Sequence, residues 1–138
     1  MALEIPTDAS RVDLTVICLC AEWCSACRNY RLVWNERSAR APDALHLWVD
    51  IEDESDSLGE LDIETFPTLL VLRGSRPHFF GPVLPQIEAV DRILQSVTRR
   101  SSVEVPIAAS DEVAVRWLAQ LSQNARDALE PSSDSTAR

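Results

Sequence analysis

The stretch VICLCAEWCSACRNY, at residues 16–30, decides the fold. It overlaps an apolar run at residues 14–20, whose β-branched side chains predict a buried strand. Apolar side chains at helical spacing beyond that run predict a helix from about Cys24 to Arg40. A strand is therefore expected to run directly into a helix, and two cysteines, Cys24 and Cys27, lie where the helix begins.

The rest of the chain continues the alternation of strands and helices. Further strands are predicted at residues 45–51, 68–72 and 78–80, a short helix or turn within 52–64, and a helix at 86–97. In the first helix the apolar side is assigned to Tyr30, Val33 and Trp34. Arg37 is assigned to another side. This order predicts an α/β fold whose first two strands are parallel and are joined by a helical crossover.

The composition changes after residue 98. We predict a domain over residues 1–98, a linker over 99–110, an additional amphipathic helix over 111–130 and a disordered tail over 131–138. Apolar side chains lie along one side of the added helix, at Val113, Trp117, Leu118, Leu121 and Ala125. We expect this side to pack on the parent domain, and binding to a partner protein is the alternative.

The charge balance restricts the class of partner. The formal net charge is −9, from 22 acidic and 13 basic residues. This balance argues against nucleic acid and anionic membrane surfaces as partners. No apolar run approaches the ~20 residues of a membrane helix, and the first residues lack the pattern of a secretory signal. We therefore expect a cytoplasmic protein.

All four cysteines are clustered, at Cys18, Cys20, Cys24 and Cys27. A disulfide scaffold would spread its cysteines along the chain, whereas clustered cysteines in a reducing compartment are more often catalytic or metal-binding. A zinc site needs four converging ligands, and a strand should space Cys18 and Cys20 along one face. We therefore predict no metal site. Burial as small apolar side chains is the preferred interpretation of those two cysteines, and a modulatory role for one is the alternative.

The spacing of Cys24 and Cys27 suits dithiol chemistry. At a helix N-terminus, free backbone amides and the helix dipole favour a thiolate over a thiol. A cysteine one turn further along is close enough to attack a mixed disulfide. These positions suggest Cys24 as the nucleophile and Cys27 as the resolving thiol, without a bound cofactor. A metal site and plain burial remain the alternatives for this pair.

Two segments of the sequence resemble thioredoxin. VICLCAEWCSACRNY is similar to the active-site strand and helix of that family, and TFPTLLVLRG, at residues 65–74, is similar to its cis-proline loop and following strand. The similarity covers roughly residues 13–98. It implies a thioredoxin-like fold, with a central mixed sheet flanked by helices. The fold is expected to be shortened at the N-terminus and to carry the extra C-terminal helix as an addition.

The resemblance implies a site and an activity. Trp23 matches the tryptophan beside the nucleophile, and Cys24 and Cys27 match the redox pair. Pro67 matches the cis-proline, and Phe66 would present its backbone to an extended substrate segment. The implied function is a thiol–disulfide oxidoreductase that reduces or exchanges disulfides in partner proteins, with a recycling reductase as a further partner.

Other positions depart from the family. Ser25-Ala26 replaces the Gly-Pro dipeptide between the cysteines, which influences the redox potential. Cys18 stands where the family has a buried aspartate, and Glu60 stands where it has the lysine paired with that aspartate. These positions are candidate modulators of potential and proton transfer. Their departures also keep open an alternative, a non-catalytic thioredoxin-fold adaptor or assembly factor that binds partner proteins.

Overall fold

A computed structural model describes residues 14–21, 23–40, 44–59, 61, 63, 65–98 and 103–128. The strands are β1 (Leu14–Cys20), β2 (Leu45–Asp50), β3 (Thr68–Arg73) and β4 (Arg76–Pro82). The helices are α1 (Ser25–Arg40), α2 (Ser55–Leu58), α3 (Glu88–Thr98) and α4 (Glu112–Ala128), and a 3₁₀ turn at Ala109–Asp111 leads into α4. The expected shortening at the N-terminus and the expected disordered tail fall outside the described residues.

The strands form one mixed sheet in the order β2-β1-β3-β4. β1 is parallel to β2 and antiparallel to β3, and β3 and β4 form an antiparallel hairpin. α1 connects the parallel pair, since a parallel pair needs a crossover longer than a hairpin turn. This arrangement confirms the predicted mixed sheet with flanking helices and the additional C-terminal helix.

Helices cover both faces of the sheet and divide the core into two clusters. On one face, Cys18 and Cys20 of β1 pack with buried residues of α1 and α3. On the other face, Ile17 and Leu19 pack with buried residues of α2 and α4. Successive side chains of a strand point to opposite faces, so β1 contributes alternately to the two clusters. Coverage of both faces explains why β1 is an unbroken apolar run that is buried along its whole length.

The buried side of α1 differs from the predicted one. It consists of Cys27, Tyr30, Trp34 and Arg37. Val33, which we assigned to the apolar side, is exposed. The observed residues follow one another at steps of three, four and three, which is the spacing of a single helical face.

Arg37 is buried because its guanidinium has polar partners from two other elements. Its Nε donates to Asp91 Oδ1 on α3 at 2.8 Å, and Asp91 also forms an ion pair with Nη2 at 2.7 Å. Its Nη1 donates to His46 Nε2 on β2 at 2.7 Å. A buried charge is tolerated when it is paired and hydrogen-bonded in this way. Arg37 therefore links α1 to both α3 and the sheet.

Helix α4 packs on the second face of the sheet through a side that only partly matches the predicted one. Its buried residues are Ala114, Val115, Leu118 and Ser122. Val113, assigned to the apolar side, is 56% exposed. Polar contacts join α4 to β1: Ser122 Oγ lies 2.7 Å from Thr15 Oγ1, which accepts a hydrogen bond from Arg126 Nη2 at 2.6 Å.

Replacing Ser122 with alanine is expected to weaken this attachment. The change removes the buried partner of Thr15, and we expect the free energy of unfolding to fall by about 1 kcal/mol. Ser38→Ala, at an exposed position of α1, is the matched control. Both variants replace a helical serine with alanine, so both gain the same helix propensity. Urea unfolding of both variants measures the difference. Equal stability of the two would contradict a contribution from the Thr15–Ser122 hydrogen bond.

Within the described part of the chain, no helix combines the length and the apolar character needed to cross a membrane.

Candidate active site

The site lies where β1 runs into α1. Cys24 is at the N-cap of α1: its carbonyl accepts a hydrogen bond from Arg28 N at 3.1 Å, and its own N–H donates to Ala21 O at 3.0 Å. The second contact closes the turn between strand and helix. The helix begins at Ser25, close to the predicted start. Of the four cysteines, Cys24 alone is more than marginally exposed.

An apolar surface adjoins this cysteine. Trp23 is 61% exposed. Its ring stands edge-on to Phe66 with 5.4 Å between the centroids. Trp23 Nε1 also donates to Glu52 Oε2 at 2.8 Å, which fixes the orientation of the indole. Phe66 and Cys24 both pack against the cluster that contains Cys18 and Cys20. The structure thus brings the two aromatic side chains together at the edge of this cluster.

Pro67 lies in the loop that leads into β3. The Phe66–Pro67 peptide bond is cis. The Pro67 carbonyl accepts a hydrogen bond from Val83 N at 3.0 Å, which ties this loop to the segment after β4.

The observed disulfide differs from the expected pairing. Cys27 is bonded to Cys20, with 5.8 Å between the Cα atoms, and Cys24 is a free thiol. We expected Cys27 to pair with Cys24, which precedes it by three residues in the sequence. Cys20 is the last residue of β1 and faces the layer in which α1 lies, so its side chain meets the first buried residue of that helix. This Cα separation is within the usual range for disulfides.

Cys18 is a second free thiol and is completely buried. Its Sγ lies 3.8 Å from Cys20 Sγ. We expected the strand to keep these two cysteines apart, because Cα atoms two residues apart in a strand are separated by about 6.6 Å. Their side chains instead lean towards each other. Burial raises the pKa of the Cys18 thiol. Burial therefore favours the thiol form of Cys18 over the thiolate.

Tyr30 lies in the same buried layer. Burial, and then the nearby Cys18, raise the pKa of the Tyr30 hydroxyl, while Arg37 lowers it. Among the described residues this hydroxyl has no hydrogen-bond partner. The surroundings of the buried sulfurs are thus apolar and disfavour charge.

The other predicted site positions are Ser25, Ala26 and Glu60. Ser25 is exposed as the first residue of α1, and Ala26 beside it is half-buried. Glu60 lies outside the described residues. Across the described ranges, no cluster of three or more histidine, cysteine, aspartate or glutamate side chains has an arrangement that could hold a metal ion.

The disulfide role of Cys20 was not predicted from the sequence. The period of two in β1 places Cys18 and Cys20 on one face. The steps of three and four in α1 place Cys27 on the helical face that contains Trp34. Combining the two patterns would have indicated contact between Cys20 and Cys27, because α1 packs on that face.

The sequence also matches a model of a protein family. This family model is described as thioredoxin and matches residues 8–82. The chain belongs to the thioredoxin family. The match includes β1, α1, the Phe66–Pro67 bond and the hairpin, which are the elements that form the site.

Relatives and solved structures agree with this assignment. A thioredoxin H-type from Picea mariana is 30% identical over 63 residues, which cover 46% of this chain and 50% of the relative. The chain spans between 41% and 63% of the curated relatives it matches. Spinach chloroplast thioredoxin f superposes with a TM-score of 0.55 at 18% identity, covering 71% of this chain and 82% of that one. A chain from the complex of ferredoxin:thioredoxin reductase and thioredoxin f2 superposes with a TM-score of 0.52 at 17% identity, covering 68% and 86%. At such identities the structural matches show the fold.

Proposed function

We propose that this member of the thioredoxin family is a thiol–disulfide oxidoreductase that reduces or exchanges disulfides in partner proteins. The observation that carries the proposal is the position of Cys24. It is a partly exposed free thiol at the N-cap of α1, and it follows Trp23, whose ring contacts Phe66. A nucleophile must be reachable by its substrate, and Cys24 is the cysteine that meets this condition.

The proposed reaction begins with both Cys24 and Cys27 reduced. The Cys24 thiolate attacks one sulfur of a target disulfide, and the other target sulfur leaves as a thiolate that takes up a proton. Cys27 then loses its proton and attacks Cys24 Sγ, which breaks the mixed disulfide and releases the second target thiol. The target gains two electrons, and the two cysteines become a disulfide. The reverse steps would oxidise a target dithiol.

The residues around the sulfurs have proposed supporting roles. Trp23, Phe66 and Pro67 would form the surface on which the substrate segment lies. Cys18 would stand where the family has the aspartate that assists the resolving cysteine, Glu60 would stand where it has the paired lysine, and both would modulate proton transfer. Ser25 and Ala26 would set the redox potential through the first turn of α1.

The proposed partners follow from the chemistry. The substrates are proteins with accessible disulfides or thiols, and a reductase would return the oxidised protein to its reduced form. The likeness to a chain from a complex with ferredoxin:thioredoxin reductase supports the second partner class. We place the activity in the cytoplasm as part of the proposal, because free thiols persist in reducing compartments.

Reduction of insulin disulfides by the full-length protein, with dithiothreitol as the recycling reductant, tests the proposal. We expect turnover above the dithiothreitol background. The adaptor alternative predicts instead that wild type and Cys24→Ser are equally inert. A thiol content of the wild-type protein that never changes during the assay would also support the adaptor.

Replacing Phe66 with alanine should impair substrate binding more than chemistry. The change removes the ring that contacts Trp23, and an aromatic pair of this kind contributes about 0.5–1.5 kcal/mol. We expect kcat/KM for insulin to fall by about three- to tenfold, mainly through KM. Val113→Ala, at an exposed position on α4, is the control and should keep wild-type kinetics. An unchanged KM in Phe66→Ala would show that this surface does not bind substrate.

A further inference from the structure

Three sulfurs lie where β1 runs into α1. Cys20 and Cys27 are joined, and Cys24 packs at the edge of the same cluster. The exposures of the three residues differ sharply. Cys20 is 0% exposed and Cys27 is 1% exposed, whereas Cys24 has intermediate exposure. The observed disulfide is therefore shielded by the protein, while the free thiol is accessible.

This shielding restricts how the disulfide can form and break. Thiol–disulfide exchange needs a thiolate in contact with the sulfur that it attacks. An external thiol or disulfide cannot reach Cys20 or Cys27 in the folded protein, but it can reach Cys24. Cys27, in turn, is one helical turn from Cys24, the spacing at which the two cysteines can form a disulfide. Cys24 is thus the natural route between the solvent and the buried pair.

We propose that Cys20 is a third redox-active cysteine, which takes over the disulfide from Cys24 and stores it in the core as Cys20–Cys27. The proposal rests on the proposed function, since it begins from the Cys24–Cys27 disulfide left by substrate reduction. The Cys20 thiolate attacks Cys27 Sγ, the Cys20–Cys27 bond forms, and Cys24 leaves as a thiolate. The proton lost by Cys20 is balanced by the proton that Cys24 takes up. The exchange moves the disulfide without net oxidation or reduction.

Cys18 also lies in this layer, and its sulfur is 3.8 Å from Cys20 Sγ. In the structure Cys20 is bonded to Cys27, whereas Cys18 and Cys24 are free thiols. The stored form is therefore the Cys20–Cys27 disulfide. Re-reduction begins when the Cys24 thiolate attacks Cys27 and expels Cys20, which returns the disulfide to the accessible pair.

Peptide mapping of the oxidised wild-type protein tests the proposal directly. The protein is reduced, oxidised with glutathione disulfide, quenched in acid and alkylated under denaturing conditions. A protease that cleaves after glutamate then cuts at Glu22, between Cys20 and Cys24. We expect peptides 5–22 and 23–36 to be linked by a disulfide, with alkylated Cys24 and Cys18. An internal disulfide in peptide 23–36, with Cys20 alkylated, would overturn the proposal.

The time course tests the route through Cys24. In wild type the internal disulfide of peptide 23–36 should appear first and the linked peptides later. In Cys24→Ser the linked peptides should form at least about tenfold more slowly, because glutathione disulfide reaches only an accessible thiol. Formation at the wild-type rate in Cys24→Ser would show that the buried pair is oxidised without Cys24.

A Cys20→Ala variant separates this proposal from the proposed function. It should accumulate the Cys24–Cys27 disulfide and still reduce insulin. Insulin reduction by wild type together with an unlinked Cys20 would reject the storage role and keep the oxidoreductase. Linked peptides that form through Cys24 in a protein unable to reduce insulin would keep the exchange and reject the oxidoreductase. The wild-type map decides the pairing even if Cys20→Ala does not fold.

Discussion

Cys24→Ser is expected to lower the rate of insulin reduction by at least about 100-fold, because a serine hydroxyl cannot attack a disulfide sulfur. The change replaces one sulfur atom with oxygen at a partly exposed position outside the buried layer. The backbone contacts of the N-cap, from Cys24 N to Ala21 O and from Arg28 N to Cys24 O, do not need the sulfur. The fold should therefore survive while the chemistry is lost.

Two controls accompany this prediction. Ser38→Ala, in the same helix and exposed, should keep the wild-type rate. Thermal unfolding of Cys24→Ser should show a folded protein with a cooperative transition. Insulin reduction by folded Cys24→Ser at more than about a tenth of the wild-type rate would assign the attack to another thiol. The serine introduced at position 24 cannot attack the disulfide itself.

Leu118→Ala is expected to lower the free energy of unfolding by about 2–5 kcal/mol, the usual range for a truncated core leucine. Leu118 is 0% exposed and packs in the cluster on the second face of the sheet, which includes Ile17 and Leu70. Truncation removes its contacts with that cluster and leaves a cavity between α4 and the strands. The size of the loss measures how much the C-terminal helix contributes to the domain.

Val113→Ala is the matched control for this measurement. Val113 lies in the same helix but is 56% exposed, and a change at such a site usually alters stability by less than about 0.5 kcal/mol. Urea unfolding of both variants gives the comparison. If Leu118→Ala were as stable as Val113→Ala, α4 would not form part of the cooperative core.

The sequence predicted the elements well because the local patterns are strong. The apolar run gave β1 at its observed bounds, Leu14–Cys20, and the parallel crossover followed from the order of elements. Arg37 was misplaced because a charged residue is normally solvated, and its burial depends on Asp91 and His46 in elements far along the chain. Val113 was misplaced because α4 is amphipathic over a wide arc, and only packing selects the buried side.

The site was predictable in part for the same reason. Trp23, Cys24 and Phe66 were predicted from motifs that resemble those of the family, and the structure brings the two aromatic residues together. The pairing of Cys27 with Cys20 was not predicted, because nearness in sequence favoured Cys24. Which of two neighbouring sulfurs Cys27 reaches depends on how α1 lies on β1. That orientation is a property of the packed layer and not of the Cys-x-x-Cys spacing.

The reduction potential of the wild-type protein tests the account most directly. The protein is equilibrated with graded ratios of reduced to oxidised glutathione, quenched in acid, denatured and alkylated, and the alkylated thiols are counted by mass spectrometry. We predict one reversible two-electron transition in which two thiols disappear together and Cys27 is one of them. Four alkylated cysteines at every ratio, or a disulfide that never opens, would contradict a redox role for this site.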